Sequence, residues 1–449
     1  MPTSIHAKQA LLRSGWVRDV RLTFDSGRIS SVSTGAPPDA NDDRVGYLIP
    51  GMSNVHSHAF QRGMAGLAEI RGPAEDTFWS WRQVMYHFAL RMTPDDAESV
   101  AAQLYMEMLE AGFTRVGEFH YLHHDKNGHR YDDLAEMADR IGAAAERTGI
   151  ALTLLPVFYA HANFGGTAPT EGQRRFVNSI DDFANLFDRC RAIMRNLPGA
   201  TLGVAPHSLR AVTPEELAAV IALAETGPIH MHIAEQVKEI EDCVAWSGRR
   251  PISWLFEHVA VDRRWCLIHA THMTPDETSA LASSGAVAGL CPVTEANLGD
   301  GFFPAADYRA AGGTFGVGSD SNVLIGIGDE LRQLEYSQRL TRRSRNVLTD
   351  PGKSTAAALF GEALSGGARA LGVEAGIDVG QAADLVHLAS ADNLDLDGDT
   401  LLDSWIFAAR ARAEDVWVGG RKVVKAGRHV SRDTISYRFQ RAMSRMIAN

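Results

Sequence analysis

Eight short apolar runs, alternating with helical stretches, constrain this chain more than any other feature. They are Tyr47–His56, Arg115–His120, Leu152–Phe158, Leu202–His207, Ile229–Ile233, Trp265–Ala270, Ala286–Pro292 and Thr314–Asp320. Strands separated by helices pair in parallel through right-handed crossovers. Three of the helices begin alike, at Thr93-Pro94-Asp95-Asp96, Thr213-Pro214-Glu215-Glu216 and Thr274-Pro275-Asp276-Glu277. Each offers a Thr cap, Pro at the first helical position and an acid near the third amide, where the positive end of the helix dipole favours it. Eight such units predict a (β/α)8 barrel, whose chemistry sits where strands end and loops begin.

The two ends of the chain have a different texture. Ser4–Leu12, Trp16–Phe24 and Arg28–Ser33 read as short strands, as do Asp384–Leu388, Asp415–Val418 and Arg421–Val424. Neither end carries a helical pattern long enough to cover its sheet. The economical arrangement is one small β-sandwich built from residues 1–48 and 376–449, with the barrel inserted as 49–375. The connection Gly63–Arg91, after the first strand, is longer than a simple loop needs, and loops of that size usually cover a site.

Composition narrows the function. The 449 residues carry 44 Lys plus Arg against 55 Asp plus Glu, a formal charge of −11. That balance argues against a nucleic-acid partner, which needs a clustered basic face. No apolar run approaches the ~20 residues that cross a bilayer, so no membrane association is expected. The segment MPTSIHAKQALLRSGW has no signal-peptide core. Cys190, Cys243, Cys266 and Cys291 lack CxxC spacing and fit a reducing, cytoplasmic compartment.

Polar residues gather at the strand ends. The first strand finishes in His56-Ser57-His58, whose imidazoles share a face because strand side chains alternate. The fifth runs His230-Met231-His232-Ile233-Ala234-Glu235, the sixth ends at His269 and the eighth in Gly318-Ser319-Asp320. Imidazoles and carboxylates converging on one barrel mouth suit a borderline divalent cation such as Zn²⁺, with other divalent ions open.

The run Pro50 to His58, with His232-x-x-Glu235, His269 and Gly318-Ser319-Asp320, resembles the amidohydrolase superfamily over nearly the whole chain, including the split β-sandwich. The resemblance implies His56, His58, His232 and Asp320 as metal ligands; His230 lies one layer deeper and reads as core. Two-metal members carry a bridging carboxylated Lys at the end of the fourth strand. None of the six lysines falls there, where Ala205-Pro206-His207-Ser208 stands. One ion per subunit and the deaminase branch are therefore expected. In that chemistry His269 takes a proton from water, Asp320 shares the task, and Glu235 carries a proton to the substrate nitrogen, each worth about 10²–10⁴-fold.

Longer runs are similar to the formimidoylglutamate deiminases of histidine degradation. They are His58 to Glu69, Gly117 to His124, Ala205 to Arg210 and Cys291 to Asp300. That family releases ammonia from N-formimidoyl-L-glutamate, leaving N-formyl-L-glutamate. The resemblance assigns Arg82, Arg210 and Tyr121 to the substrate carboxylates and Gln61 and His207 to the formimidoyl end, and it implies a homodimer. A dianionic substrate needs such cationic partners in an acidic protein, and Arg holds a carboxylate bidentately. Whether Arg82 serves its own subunit or a partner's is open at this level. The other enzymatic reading is a zinc deaminase of an aromatic ring, guanine or an aminotriazine. A barrel kept only for binding would have lost a ligand or Glu235, and all are present.

Overall fold

A computed structural model describes residues 4–71, 77–390 and 395–447. Strands Met52–Ser57, Phe113–His120, Ala151–Phe158 and the two short pieces Thr201–Leu202 and Ala205–Pro206 pair in parallel. Ile229–Ile233, Trp265–His269, Val287–Leu290 and Thr314–Val317 form a second parallel set. Parallel bridges Val204–Ile229 and Ser57–Asp320 join the sets at both seams, closing an eight-stranded barrel. Phe113–His120, Ala151–Phe158, Ile229–Ile233 and Trp265–His269 are buried at every residue, as strands covered by helices outside and packed side chains inside must be.

The helix starts behave as their sequences require. Thr93, Thr213 and Thr274 accept the amides of Asp96, Glu216 and Glu277, and those acids accept the Thr amides in return. These reciprocal caps satisfy donors that the first helical turn leaves without partners.

Two strand readings need correction. Tyr47–His56 is not one strand but two, Asp43–Pro50 in the terminal sheet and Met52–Ser57 in the barrel. The break falls at Gly51, where a Cβ would lie 2.2 Å from the Thr114 side chain and whose amide donates to Asp384 O at 2.9 Å. Leu202–His207 breaks at Gly203, where a Cβ would lie 2.5 Å from Pro228 O. A side chain at the first break and a backbone carbonyl at the second approach too closely for a Cβ.

The terminal strands form one eight-stranded sheet in the order Arg428–His429, Arg421–Lys425, Ala411–Val418, Leu385–Ser390, Asp43–Pro50, Ser4–Leu12, Gly15–Asp25, Arg28–Thr34. It rolls over on itself, so that Ile29 N donates to Gln381 O and Ala383 N to Gly27 O. Ile5, Ala7, Leu22, Leu48, Leu385 and Trp417 fill the space between its two layers. The C-terminal segment also carries two helices that the sequence reading left out. Gly398–Ala408 buries Leu401, Leu402, Trp405 and Ile406, and Arg432–Ile447 packs on Pro94–Glu110.

Candidate active site

The barrel strands end at one mouth, and their last residues turn sharply inward. Ala234, His269, Asp320 and Asn322 have φ of 54°, 69°, 45° and 59°. This left-handed region costs a non-glycine residue about 1–3 kcal/mol and persists only where neighbours over-determine it. At Asp320 and Asn322 a buried network does so. Asn54 Nδ2 donates to Ser319 Oγ at 2.7 Å, Ser319 Oγ to Asn322 Oδ1 at 2.6 Å, and Asn322 Nδ2 to His58 O at 3.0 Å. The first and eighth strands are thereby locked together beneath the site.

Four of the expected residues converge. Nε2 of His56 lies 3.2 Å from Nε2 of His58 and 3.0 Å from Nε2 of His232. Asp320 Oδ1 is 3.4 Å from His56 Nε2 and 3.2 Å from His58 Nε2. His58 Nδ1 faces Phe119 O at 3.0 Å, and His232 Nδ1 faces His207 O at 3.1 Å. A carbonyl only accepts, so in both rings Nδ1 carries a proton and Nε2 faces the cluster. Burial holds His232 well below the usual imidazole range and His56 down to about 3. Three imidazole Nε2 atoms and a carboxylate oxygen crowded this closely form the kind of donor cage that a cation between them would hold together. The donor set therefore fits a divalent metal ion, and these four groups form a buried metal-binding cluster.

A second group lies beside it. His269 Nε2 is 3.7 Å from Glu235 Oε1 and 3.9 Å from Asp320 Oδ2, while its Nδ1 meets Glu295 Oε1 at 3.2 Å. Burial lowers its basicity, but the carboxylates of Glu235, Glu295 and Asp320 overcome this and lift the imidazole to about 10. Burial pushes the Glu235 carboxyl above its ordinary range, opposed by His269 and Arg210. Glu239 fixes the turn carrying Glu235, accepting the amides of Ala234 and Glu235 at 3.2 and 3.1 Å.

Gln61, Arg82, Tyr121, His207 and Arg210 line one cleft above His58, His232, Glu235, His269 and Asp320, with His56 beneath. Gln61 Nε2 donates to the Tyr121 hydroxyl at 3.0 Å. Arg82 and Arg210 flank Trp79, their guanidinium carbons 4.6 and 5.9 Å from its ring centre. Among the described residues neither guanidinium pairs with a carboxylate, and each has a buried Nε without a partner. Burial works against the charge of Arg210, but Glu239 and Glu235 hold its pKa above the usual arginine value. Burial, followed by the field of Arg210, keeps His207 well below its ordinary range, leaving it neutral. Arg82 enters the cleft of its own chain, on helix Phe78–Ala89. His230 stays in the core, its Nε2 2.7 Å from Ala370 O.

Sequence reasoning missed the supporting residues. Glu295 and Glu239 orient His269 and Glu235 yet lie on helices Pro292–Leu298 and Val237–Ser247. Their spacing, four residues past Cys291 and Glu235, was the available signal: an acid one helical turn after a strand end can reach back to the strand-end amides. Trp79 and Tyr86 face the guanidiniums rather than merely packing the loop.

Comparison with known proteins agrees with this geometry. The Amidohydrolase family model matches residues 47–423, and that of the N-terminal domain of formimidoylglutamate deiminase HutF matches 2–46. A formimidoylglutamate deiminase from Pseudomonas aeruginosa is 50% identical over 457 residues, covering 99% of this chain and 100% of that one. The crystal structure of an amidohydrolase from Brucella melitensis superposes with a TM-score of 0.98 at 59% identity, covering 99% of each chain. An adenosine deaminase from Xanthomonas campestris with bound zinc shares the fold, with a TM-score of 0.81 at 22% identity over 99% and 98% of the two chains. The chain belongs to the amidohydrolase family, among its formimidoylglutamate deiminases.

Proposed function

We infer that this enzyme hydrolyses N-formimidoyl-L-glutamate to N-formyl-L-glutamate and ammonia, a step of histidine catabolism. The observation that carries the substrate assignment is the pair of guanidiniums, Arg82 and Arg210, that line the same cleft as the His/Asp cluster, both near the Trp79 ring and neither paired with a carboxylate among the described residues. Two guanidiniums in one cleft, neither in direct contact with a carboxylate among the described residues, are complementary to two carboxylates, not to a neutral ring.

His56, His58, His232 and Asp320 would hold one Zn²⁺ or another divalent ion. Such an ion, when bound, lowers the pKa of its water from about 16 to about 7 and polarises the carbon under attack. Arg82, Arg210 and Tyr121 bind the glutamate carboxylates and so fix the formimidoyl carbon over the cluster. Gln61 and His207 contact the amidine end; His207 is neutral there and adds no charge against a cationic amidine. A cation held by the cluster would oppose the carboxylates that keep the His269 imidazole protonated, and the ring, with Asp320 beside it, would then take the proton released by the attacking water. Its Nδ1 is held by Glu295, so Nε2 is the atom that faces the reaction. Glu235 delivers a proton to the leaving nitrogen, and its raised pKa suits a group that must both hold and release one. The carbon–nitrogen bond then breaks and ammonia leaves.

The same reading keeps a barrel over 49–375 and a terminal unit over 1–48 with 376–449. It places the enzyme in the cytoplasm as a homodimer. Four buried, unpaired cysteines support a reducing compartment, and no described helix is long and apolar enough to cross a membrane. Exposed Leu67, Ile70, Tyr437 and Ile447 are apolar surface that a second copy would cover. The test is steady-state ammonia release from N-formimidoyl-L-glutamate, its aspartate analogue and guanine. Turnover of guanine in preference to the glutamate substrate would overturn the assignment.

A further inference from the structure

Arg175 has no exposed surface, and among the described residues no carboxylate pairs with it. Burying an arginine without a counter-ion is costly unless its donors are satisfied; Nη2 has no hydrogen-bond partner among the described residues, so the groups that hold Nε and Nη1 indicate what it does. Its Nε donates to His124 O at 2.7 Å, and its Nη1 donates to Ala89 O and to Met92 O, the latter at 2.9 Å. Its own carbonyl accepts the amides of His123 and His124, both at 3.0 Å.

Arg175 and these partners belong to three separate segments of the chain. Ala89 ends helix Phe78–Ala89, and Met92 follows it. His123 and His124 lie on the loop after strand Phe113–His120, which also carries Tyr121. Arg175 itself sits on the connection after strand Ala151–Phe158. The last carbonyls of a helix have no partner within it, and a cation there also answers the negative end of the dipole. Arg175 meets both needs at the C-terminus of the helix that carries Arg82.

The neighbouring packing runs the same way. Arg82, Met85, Tyr86 and Ala89 fall at i, i+3, i+4 and i+7, one face of the helix. Tyr86 rests on the segment that bears Arg175. A Cβ at Gly172 would lie 2.7 Å from Tyr86 Cδ2, and the rings of Tyr86 and Phe176 are 5.9 Å apart. Phe176 in turn packs edge-on against Tyr121 at 4.9 Å. One buried side chain thus ties together the helix of Arg82 and the loop of Tyr121, two residues assigned to the substrate carboxylates.

We propose that Arg175 is a positioning residue for substrate specificity: it sets the height of the Arg82 helix over the barrel mouth and so the distance between the carboxylate pocket and the reacting carbon. This rests on the assignment of Arg82 to a substrate carboxylate. Misplacement of a binding group by about 1 Å can cost about 10²-fold in rate. Lysine cannot replace the planar fork, because one ammonium on a flexible stem does not span carbonyls on separate elements.

The test uses the metal-loaded full chain and compares Arg175→Lys, Arg175→Met and Arg82→Met, singly and with each Arg175 change combined with Arg82→Met. Substrates are N-formimidoyl-L-glutamate and N-formimidoyl-4-aminobutanoate, which lacks one carboxylate. In the single Arg175 variants kcat/KM for the glutamate substrate should fall about 10²-fold, and the preference for two carboxylates should shrink. In the Arg82→Met background the same changes should cost little more. Amide hydrogen exchange should accelerate over residues 78–92 while the barrel strands stay protected. If Arg175→Met does not fold, Arg175→Lys alone carries the comparison. Equal losses in both backgrounds, or losses confined to kcat with the substrate preference intact, would refute the positioning role. An Arg82→Met protein with unchanged kcat/KM would instead refute the assignment of Arg82, a different outcome from Arg175 variants that are silent while Arg82→Met is not.

Discussion

Replacing Arg210 with Met keeps most of the side-chain volume and removes only the fork of donors. Arg210 is 5% exposed, so a substrate carboxylate facing it has surrendered its water. Truncating one member of a buried, hydrogen-bonded charge pair costs about 2–5 kcal/mol. At 1.36 kcal/mol per decade that is about 30-fold at the lower end and several thousand-fold at the upper. The lower end is expected here, because Arg82 remains beside Trp79 and keeps part of the cationic field. The change should also move the pH profile. Arg210 is one of the groups that hold the Glu235 carboxyl down against burial, so its loss lets the Glu235 pKa rise further. The limb of the kcat/KM profile that reports Glu235 should therefore shift to higher pH. The assay is ammonia release between pH 5 and 10 on protein of verified metal content, with the glutamate substrate and a monocarboxylate analogue. If Arg210→Met retains wild-type kcat/KM, full preference for two carboxylates and an unshifted profile, then the dianion pocket is misassigned.

Four further outcomes follow from the geometry. Glu235→Gln should keep the metal and lose at least about 10²-fold in kcat, read by metal analysis and single-turnover kinetics; near-normal turnover would give the proton to another group. Chelator-washed protein titrated with Zn²⁺ should take up one equivalent per chain with recovery of activity, and His58→Ala should not refill; a second equivalent tied to activity would contradict the four-ligand cluster. Glu295→Gln removes one of the carboxylates that hold His269 near 10, so the limb reporting that imidazole should move to lower pH; an unmoved limb would detach Glu295 from the base. Asn54→Ala breaks the link between the first and eighth strands and should lower unfolding free energy by about 1–3 kcal/mol in urea titrations, against an unchanged midpoint if the network is idle.

The barrel was legible because its strands recur with helices between them and because metal-binding side chains stand at their ends. His56-x-His58 needs only the two-residue alternation of a strand to bring both rings to one face. What sequence could not supply was set by distant neighbours. Nothing local to Tyr47–His56 reveals that Thr114 and Asp384 crowd Gly51 and split the run. The left-handed turn at Asp320 likewise follows from a buried hydrogen bond to another strand, Ser319 N donating to Asn54 Oδ1, rather than from residue type. Helix Arg432–Ile447 escaped notice because it buries only Ile435, Ala442 and Met446, a thin stripe spread over three turns. Helix Gly398–Ala408 did have a local signal, the Asp397 cap that accepts the Thr400 amide ahead of Leu401, Leu402, Trp405 and Ile406.

The interleaved terminal sheet imposes an order on synthesis. Strand Asp43–Pro50 pairs in parallel with Ser4–Leu12 on one side and antiparallel with Leu385–Ser390 on the other. The ribosome delivers the first neighbour before it and the second only after the entire barrel. At about 5–20 residues per second, that edge stands open for tens of seconds, offering the backbone of Val45, Tyr47, Leu48 and Ile49 to any extended chain nearby. A nascent chain of this protein is thus most vulnerable to cross-pairing with its own copies on the same polysome, and that hazard ends only when Leu385–Ser390 docks.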